Sequence, residues 1–326
     1  MNVLRWANAA RPRGGIVDYL ALARVDHSAK HVFIVPGIIL AYLLRGLHTA
    51  TPISSIALGF AAALCIASAN YVINEWLDRD FDKFHPKKSQ RAAVRRELRG
   101  DVVILEWTAL LAAGLFCAFL DSRTMYFAAT LFALQGIVYN VTPLRTKDTA
   151  YLDVLSESIN NPVRLIIGWA MIDPTTVPPG SLILTYWAGG AFLMAAKRLS
   201  EYREIVAAQG KALLVRYRAS FAAYSETSLT VSCFTYALFG IFFLAVFLIK
   251  YRTEYLLLVP IIIALFAYYM AMAARPESSA QNPEKLFRER GLVALVLLLA
   301  ATFLLMTWID VPVLESLALQ KYISVQ

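Results

Sequence analysis

The stretch Asn74-Glu75-Trp76-Leu77-Asp78-Arg79-Asp80-Phe81-Asp82-Lys83-Phe84-His85-Pro86-Lys87-Lys88-Ser89-Gln90-Arg91 decides how this chain is read. The residues before it, Ile53 to Ile73, are predominantly apolar. Glu75, Asp78, Asp80 and Asp82 fall within eight positions, and Lys83, Lys87, Lys88 and Arg91 follow at once. Carboxylates at the end of a membrane helix are costly unless they are solvated or bound. Asn74, Asp78 and Asp82 are four apart, so a helix puts them on one face. Such a face suits Mg²⁺, which is commonly held by one or two carboxylates plus substrate phosphates. The cations downstream are placed to hold the same phosphates. The competing reading is a charged loop whose helical spacing is accidental. The clustering of acids, and the Asn ahead of them, favour a Mg²⁺-diphosphate site at the mouth of a membrane bundle.

Composition supports the membrane setting. The chain has 326 residues, 59% of them hydrophobic and only 17% charged. Soluble domains run nearer about 25% charged. The formal charge of +8 does not point to nucleic acid, because the cations sit between apolar stretches. Cys65, Cys117 and Cys233 lie inside apolar segments without metal-ligand spacing, so no disulfide is expected. The first 30 residues carry Arg5, Arg11, Arg13, Arg24 and Lys30 without a clean apolar core, which argues against a cleavable signal peptide.

Apolar stretches of spanning length occur near 31–48, 53–75, 102–120, 125–142, 152–172, 182–197, 228–249, 255–274 and 291–309. Nine transmembrane helices in a single membrane domain, 1–326, are expected. Residues 1–30 read as a basic interfacial segment, and 76–100 and 198–227 as cap loops and helices. Assigning the N-terminus and the loops after spans 2, 4, 6 and 8 to one side gathers 25 of the 31 Lys and Arg there. By the positive-inside rule that side is cytoplasmic, which places the C-terminus outside. Most of these loop cations need no role beyond topology.

Three further segments carry chemistry-bearing residues. Span 4 ends in Tyr139-Asn140-Val141-Thr142-Pro143-Leu144-Arg145-Thr146-Lys147-Asp148, where Arg145 and Lys147 can point back at a diphosphate. In span 5, Asp153, Glu157, Asn160 and Arg164 recur on one helix face, with Asn161 beside them. Such a stripe lines a cavity for a hydroxyl-rich substrate or serves as polar glue between helices. Span 6 ends in Lys197-Arg198-Leu199-Ser200-Glu201, a second charged cluster at the same side. Lys30, entering span 1, is either a phosphate ligand or an interfacial anchor.

Asn74-x-x-x-Asp78-x-x-x-Asp82 after the second of nine spans resembles the first aspartate motif of the UbiA superfamily of intramembrane prenyltransferases. Within it the chain looks most like decaprenyl-phosphate phosphoribosyltransferases. That resemblance rests on His85-Pro86-x-Lys88-x-x-Arg91, on Leu152-Asp153-Val154, on Phe192-Leu193-Met194 running into Lys197-Arg198-x-x-Glu201, and on Pro283-Glu284 before Arg288 and Arg290. There are departures. Glu75 stands where the superfamily often has Asp, and Ala92 follows Arg91 where Pro is common. The spaced aspartates of the second motif are replaced by Lys197-Arg198-Leu199-Ser200-Glu201, which argues against a prenyl diphosphate donor.

The resemblance implies an all-α, nine-helix bundle in the cell inner membrane, its N-terminus and active site cytoplasmic, with a homo-oligomer compatible. It implies Mg²⁺ on Asp78 and Asp82, oriented by Asn74. Phosphoribosyl diphosphate would be the donor and a polyprenyl phosphate lipid the acceptor. Lys30, Lys88, Arg91, Arg145, Lys147, Lys197, Arg198 and Glu201 would bind phosphates or complete the metal's surroundings. Glu157, Asn160, Asn161 and Arg164 would line the sugar pocket. The product would be a lipid-linked phosphoribose for arabinose-donor synthesis, serving cell-wall arabinan or the decoration of nodulation factors. An aromatic prenyltransferase and a non-enzymatic transporter are the alternatives. The missing second aspartate motif counts against the first. The concentration of charge at span ends, rather than mid-span, counts against the second.

Overall fold

The computed structural model describes residues 11–45, 53–275, 278–281, 286 and 288–314. Residues 1–10 of the expected interfacial segment, and Pro283 and Glu284, lie outside them. Among the described residues the secondary structure is helical, and one isolated bridge pairs Arg13 with Glu97. The helices are α1 (Ile16–Leu20), α2 (Val35–Arg45), α3 (Ile53–Asp82), α4 (Ala92–Arg95), α5 (Gly100–Asp121), α6 (Arg123–Asn140) and α7 (Leu152–Ser158). They continue as α8 (Asn160–Ala170), α9 (Gly180–Gln209), α10 (Lys211–Tyr217), α11 (Glu226–Tyr251), α12 (Val259–Ala273) and α13 (Arg290–Trp308). Short 3₁₀ segments connect several of them. Among the described residues, five stretches are long and apolar enough to cross a membrane: Ile53–Asp82, Gly100–Asp121, Glu226–Tyr251, Thr253–Ala273 and Arg290–Trp308.

Contacts divide the chain into two compact units. The first contains residues up to Val177 together with Ile205–Tyr224, and the second contains Pro178–Glu204 and the chain from Ser225 onward.

In the first unit α3 is the central element, packed on α5 and α6, with α8 against α2 and α6. Its interior is built from small residues: Ala62, Ala63, Ala67, Ala128, Ala129 and Ala133 pack with Ile66, Met125, Phe132, Val163 and Ile167. In a bilayer, lipid tails are as apolar as leucine, so helices associate through close van der Waals packing, which small residues permit. The approach of α2 to α8 is the closest case. A Cβ on Gly37 would strike the Leu165 carbonyl oxygen, and one on Gly168 would strike that of Ile34. Those two glycines set the register that brings the segment Val25–Ile34, just before α2, against α8.

Two local features differ from the sequence expectation. The second span does not end near residue 75 but continues as one helix to Asp82, carrying the acidic motif with it. The fifth span is two short helices interrupted at Ile159. Pro162 lacks the N–H that would bond to the Ser158 carbonyl, so the ladder breaks there. The Ile159 N–H bonds instead to Ser156 O at 3.2 Å.

The second unit holds most of α9 with α11, α12 and α13. Phe192 meets Phe266 edge-on at 4.7 Å between ring centroids, and Tyr255 stacks on Phe303 at 4.9 Å. Arg252 donates to the carbonyls of Met306 and Ile309 and to Asp310, tying the ends of α11 and α13.

Candidate functional site

One face of α3 presents Asn70, Asn74, Asp78 and Asp82 at four-residue intervals, and α6 runs beside it. Asn70 Nδ2 donates to Phe132 O at 3.1 Å. One turn on, Asn74 Nδ2 donates to Asn140 Oδ1 at 2.5 Å. The side chain of Asn140 is fixed in turn by its own Nδ2, which donates to Gly136 O at 2.8 Å. Asn140 Oδ1 also accepts from Lys147 Nζ at 2.9 Å.

Asp78 is the centre of charge. Lys147 Nζ lies 2.5 Å and Arg145 Nη2 2.8 Å from the same oxygen, Oδ1. Arg145 also binds Asp148 Oδ2 through Nε at 2.7 Å and the Asn140 carbonyl through Nη1 at 3.1 Å. Its backbone sits at a φ of +26°. A non-glycine residue in such a region costs on the order of 1–3 kcal/mol and persists only when its surroundings over-determine it. Here three acceptors do so. Lys147 is buried at 2% exposure. Burial pulls its ammonium pKa down to about 8, against the pull of Asp78 in the other direction, with the Arg145 charge lowering it further.

Asp82 belongs to a separate set of cations. Arg91 Nη1 lies 2.5 Å from its Oδ2, and Lys88 Nζ lies 3.9 Å from Oδ1. Arg91 Nε also lies 4.0 Å from Glu75 Oε2. The two aspartates therefore share a helix face but not a counter-ion. His85 and Lys88 both pack on Tyr217, and Arg216 lies over Phe84, so the segment 205–224 buttresses the loop after α3.

The stripe on α7 and α8 divides by role. Asp153 is fully buried and accepts from Tyr224 Oη at 2.6 Å and Ser220 Oγ at 3.2 Å. It anchors the 205–224 segment. Glu157 accepts from Tyr139 Oη at 2.7 Å, and that hydroxyl accepts from Arg218 Nη2 at 2.8 Å. Arg164, 6% exposed, lies with its guanidinium 5.0 Å from the Phe132 ring centroid and donates to Asn160 O at 3.3 Å. Asn161 is half-buried beside it. Lys30 sits over the Tyr71 ring at 5.4 Å, one turn below the Asn74 level of α3, instead of at Asp78.

Lys197, Arg198 and Glu201 lie on α9 in the second unit. Arg198 and Glu201 are buried there and paired, with Nη1 3.5 Å from Oε2.

Tyr139, Asn140 and Arg218 join the site without a role assigned from the sequence. Tyr139 and Asn140 were detectable, since a polar pair ends an apolar span directly before Arg145 and Lys147. Arg218 was not, because it reaches Tyr139 from 79 positions away.

No three His, Cys, Asp or Glu side chains converge among the described residues. The donor set of Asp78 and Asp82, with Asn74 near, does not make a complete protein cage. It does fit Mg²⁺, which keeps several waters and takes one or two carboxylates plus substrate phosphates. The four cations on the two aspartates are a matching counter-charge for a diphosphate.

Comparison with known proteins bears on the fold and the family. The model of the UbiA prenyltransferase family matches residues 34–292. The protoheme IX farnesyltransferase of Alkalihalophilus pseudofirmus is 27% identical over 192 residues, which is 57% of this chain and 61% of that protein. The chain thus matches the curated relative over less than two thirds of its length. An uncharacterized protein of Sinorhizobium fredii, y4nM, is 26% identical over 47% of this chain and 28% of its own length. The solved structure of a UbiA homologue from Archaeoglobus fulgidus bound to GPP and Mg²⁺ superimposes with a TM-score of 0.67. It covers 90% of this chain and 100% of that one at 18% identity, a likeness of fold. An all-helical chain with several membrane-length helices, a family match across most of its length and this fold has one classification: it is a multi-pass membrane protein that belongs to the UbiA prenyltransferase family.

Proposed function

We propose that this chain transfers a 5-phosphoribosyl group from 5-phosphoribosyl 1-diphosphate to a polyprenyl phosphate, at the cytoplasmic face of the inner membrane. The observation that carries the reading is the continuity of polar side chains away from the aspartates. From Asp78 the lining passes through Lys147 and Asn140 to Tyr139, then to Glu157. Asn160, Asn161 and Arg164 follow on α8, just past the break at Ile159. An apolar prenyl tail would bury against these groups without satisfying them, whereas a sugar has hydroxyls for them. The basic Lys197-Arg198 pair in place of spaced acids supports the same choice.

Asp78 and Asp82 would hold Mg²⁺, and Asn74 would orient Asp78's neighbourhood through Asn140. The ion, when bound, neutralises charge on the leaving diphosphate. Lys147 and Arg145 then exchange a carboxylate oxygen for phosphate oxygens, with Arg91 and Lys88 doing so from the Asp82 side. Carbon 1 of the ribose loses its bond to the diphosphate oxygen, which keeps the electron pair. An oxygen of the lipid phosphate forms the new bond from the opposite face, giving inversion. The nucleophile is already anionic at neutral pH, so no general base is required. The positive charge that builds on the sugar is close to Glu157, which Tyr139 holds in place.

A second reading has its own support. The relative described as a protoheme IX farnesyltransferase and the UbiA homologue bound to GPP suggest prenyl transfer from a prenyl diphosphate. Membranes containing the protein, Mg²⁺ and labelled phosphoribosyl diphosphate, with and without polyprenyl phosphate, separate the two. Label entering the lipid fraction only with acceptor, and lost in Asp78→Ala, supports phosphoribosyl transfer. Transfer from farnesyl or geranyl diphosphate to an aromatic or haem acceptor instead would replace it.

A further inference from the structure

We infer that Lys30, His31 and Arg164 form a second oxyanion subsite, distinct from the Asp78 cluster, which takes a phosphate monoester carried by one of the two substrates. The inference rests on the reading above for the source of that phosphate, but not for the existence of the subsite.

Four buried polar atoms in this part of the first unit lack a hydrogen-bond partner: His31 Nδ1, Asn70 Oδ1, Asn160 Oδ1 and Arg164 Nε. Buried polar groups are nearly always bonded, so such a group of exceptions needs an explanation. Their arrangement supplies one. Lys30 Nζ and the Arg24 guanidinium both lie over the Tyr71 ring, 5.4 and 5.7 Å from its centroid. The segment Val25–Ile34, which carries Lys30 and His31, packs on α8, which carries Arg164. Arg164 and His31 are each more than nine-tenths buried. The glycine contact between α2 and α8 fixes this proximity, since Gly168 follows Arg164 by one turn and packs on Ile34, three residues past His31.

Charge balance points the same way. Glu157 attracts Arg164, but the same carboxylate also stands against the Tyr139 hydroxyl that Arg218 bonds, so it faces two guanidinium groups. A guanidinium exposed at only 6% is expensive unless anions offset it. Arg164 offers a planar donor edge, Lys30 a flexible point charge, and the Asn160 oxygen an acceptor for a hydroxyl. That combination fits a phosphate on a hydroxyl-bearing group. Two sources share the chemistry: the 5-phosphate of the sugar donor and the phosphate of the lipid acceptor.

The test measures ligand protection against thermal unfolding in detergent-purified protein, so it does not depend on turnover. The probes are ribose 5-phosphate, geranyl phosphate, Mg²⁺ with pyrophosphate, and 4-hydroxybenzoate. Either phosphate monoester should stabilise the wild type, and Lys30→Gln and Arg164→Gln should each raise its Kd by about tenfold or more. Both variants should keep the Mg²⁺-pyrophosphate effect, which also shows that they fold. Protection by ribose 5-phosphate assigns the subsite to the donor, and protection by geranyl phosphate assigns it to the acceptor. No protection by either monoester, or protection that survives in both variants, overturns the inference. Binding of 4-hydroxybenzoate alone through these residues overturns the phosphate assignment. If the labelled-donor assay fails while a monoester still binds through Lys30 and Arg164, the phosphoribosyl reading falls and the subsite stands.

Discussion

Two aspartates in the first unit, the partly buried Asp78 and the buried Asp173, are built to opposite ends. Asp173, just after α8, is saturated. Its Oδ1 accepts from the Thr175 N–H at 3.0 Å and the Thr175 hydroxyl at 2.5 Å. Its Oδ2 accepts from Thr176 Oγ1 at 2.6 Å and Arg45 Nε at 2.8 Å. Burial pushes its carboxyl pKa up, but these donors outweigh it and hold the group well below the usual carboxylate range. Neutral donors surround it and a single arginine balances it, which makes a clasp between α2 and the end of α8. Asp78 instead draws two cations onto one oxygen, and one of them, Arg145, sits on a strained backbone. A carboxylate with more cations than it needs is arranged for a further anion. A carboxylate with as many donors as it has lone pairs is arranged to stay as it is.

The comparison can be broken experimentally, and the largest effect is expected at Asp78. Asp78→Asn should lower transfer by about 10³-fold or more, since it removes a metal-holding charge and leaves two cations facing each other. Residual activity within tenfold of wild type in radiolabel transfer would place the chemistry elsewhere.

Asp173→Ala should cost about 1–2 kcal/mol of stability, because it removes four hydrogen bonds whose Thr175, Thr176 and Arg45 donors water can still reach. Activity per folded molecule should not change. Thermal unfolding alongside specific activity checks this, and a drop in specific activity at unchanged melting would undo the distinction drawn here.

Lys147 gives the two aspartates different pH behaviour. With its pKa lowered to about 8, the free enzyme loses that charge as pH rises through 8. Between there and the ordinary lysine value, the unfolded chain holds one proton more than the folded one, so stability rises with pH in that window. Donor binding should move the other way. The kcat/KM should fall above about pH 8 in wild type and hold level in Lys147→Arg, whose charge does not titrate there. A wild-type profile that stays flat to pH 9 would show that the charge is not needed.

The smallest effect is expected at Tyr139→Phe. It removes one hydroxyl between Arg218 and Glu157, worth about 1 kcal/mol, or roughly fivefold, in donor KM. A change in kcat alone would move Tyr139 from positioning the pocket to the reacting centre.

Much of this molecule follows from local pattern. Long apolar runs require helices in a membrane because no water is there to satisfy backbone groups. A four-residue spacing puts Asn74, Asp78 and Asp82 on one face whatever surrounds them, and cations just beyond a span end fall within reach of its acids. What periodicity cannot specify is which partner each side chain meets across the bundle. Only the packing of α3 on α6 brings Lys147 and Arg145 to Asp78 and leaves Asp82 to Arg91. Only the fold of 205–224 over α7 gives Asp153 its partners Tyr224 and Ser220 and brings Arg218 to Tyr139. The close α2–α8 contact at Gly37 and Gly168 brings the segment Val25–Ile34, which carries Lys30 and His31, against the helix that carries Arg164. Spacing along a helix is a property of the chain; counter-ions are chosen by residues from other segments, so tertiary packing made that choice.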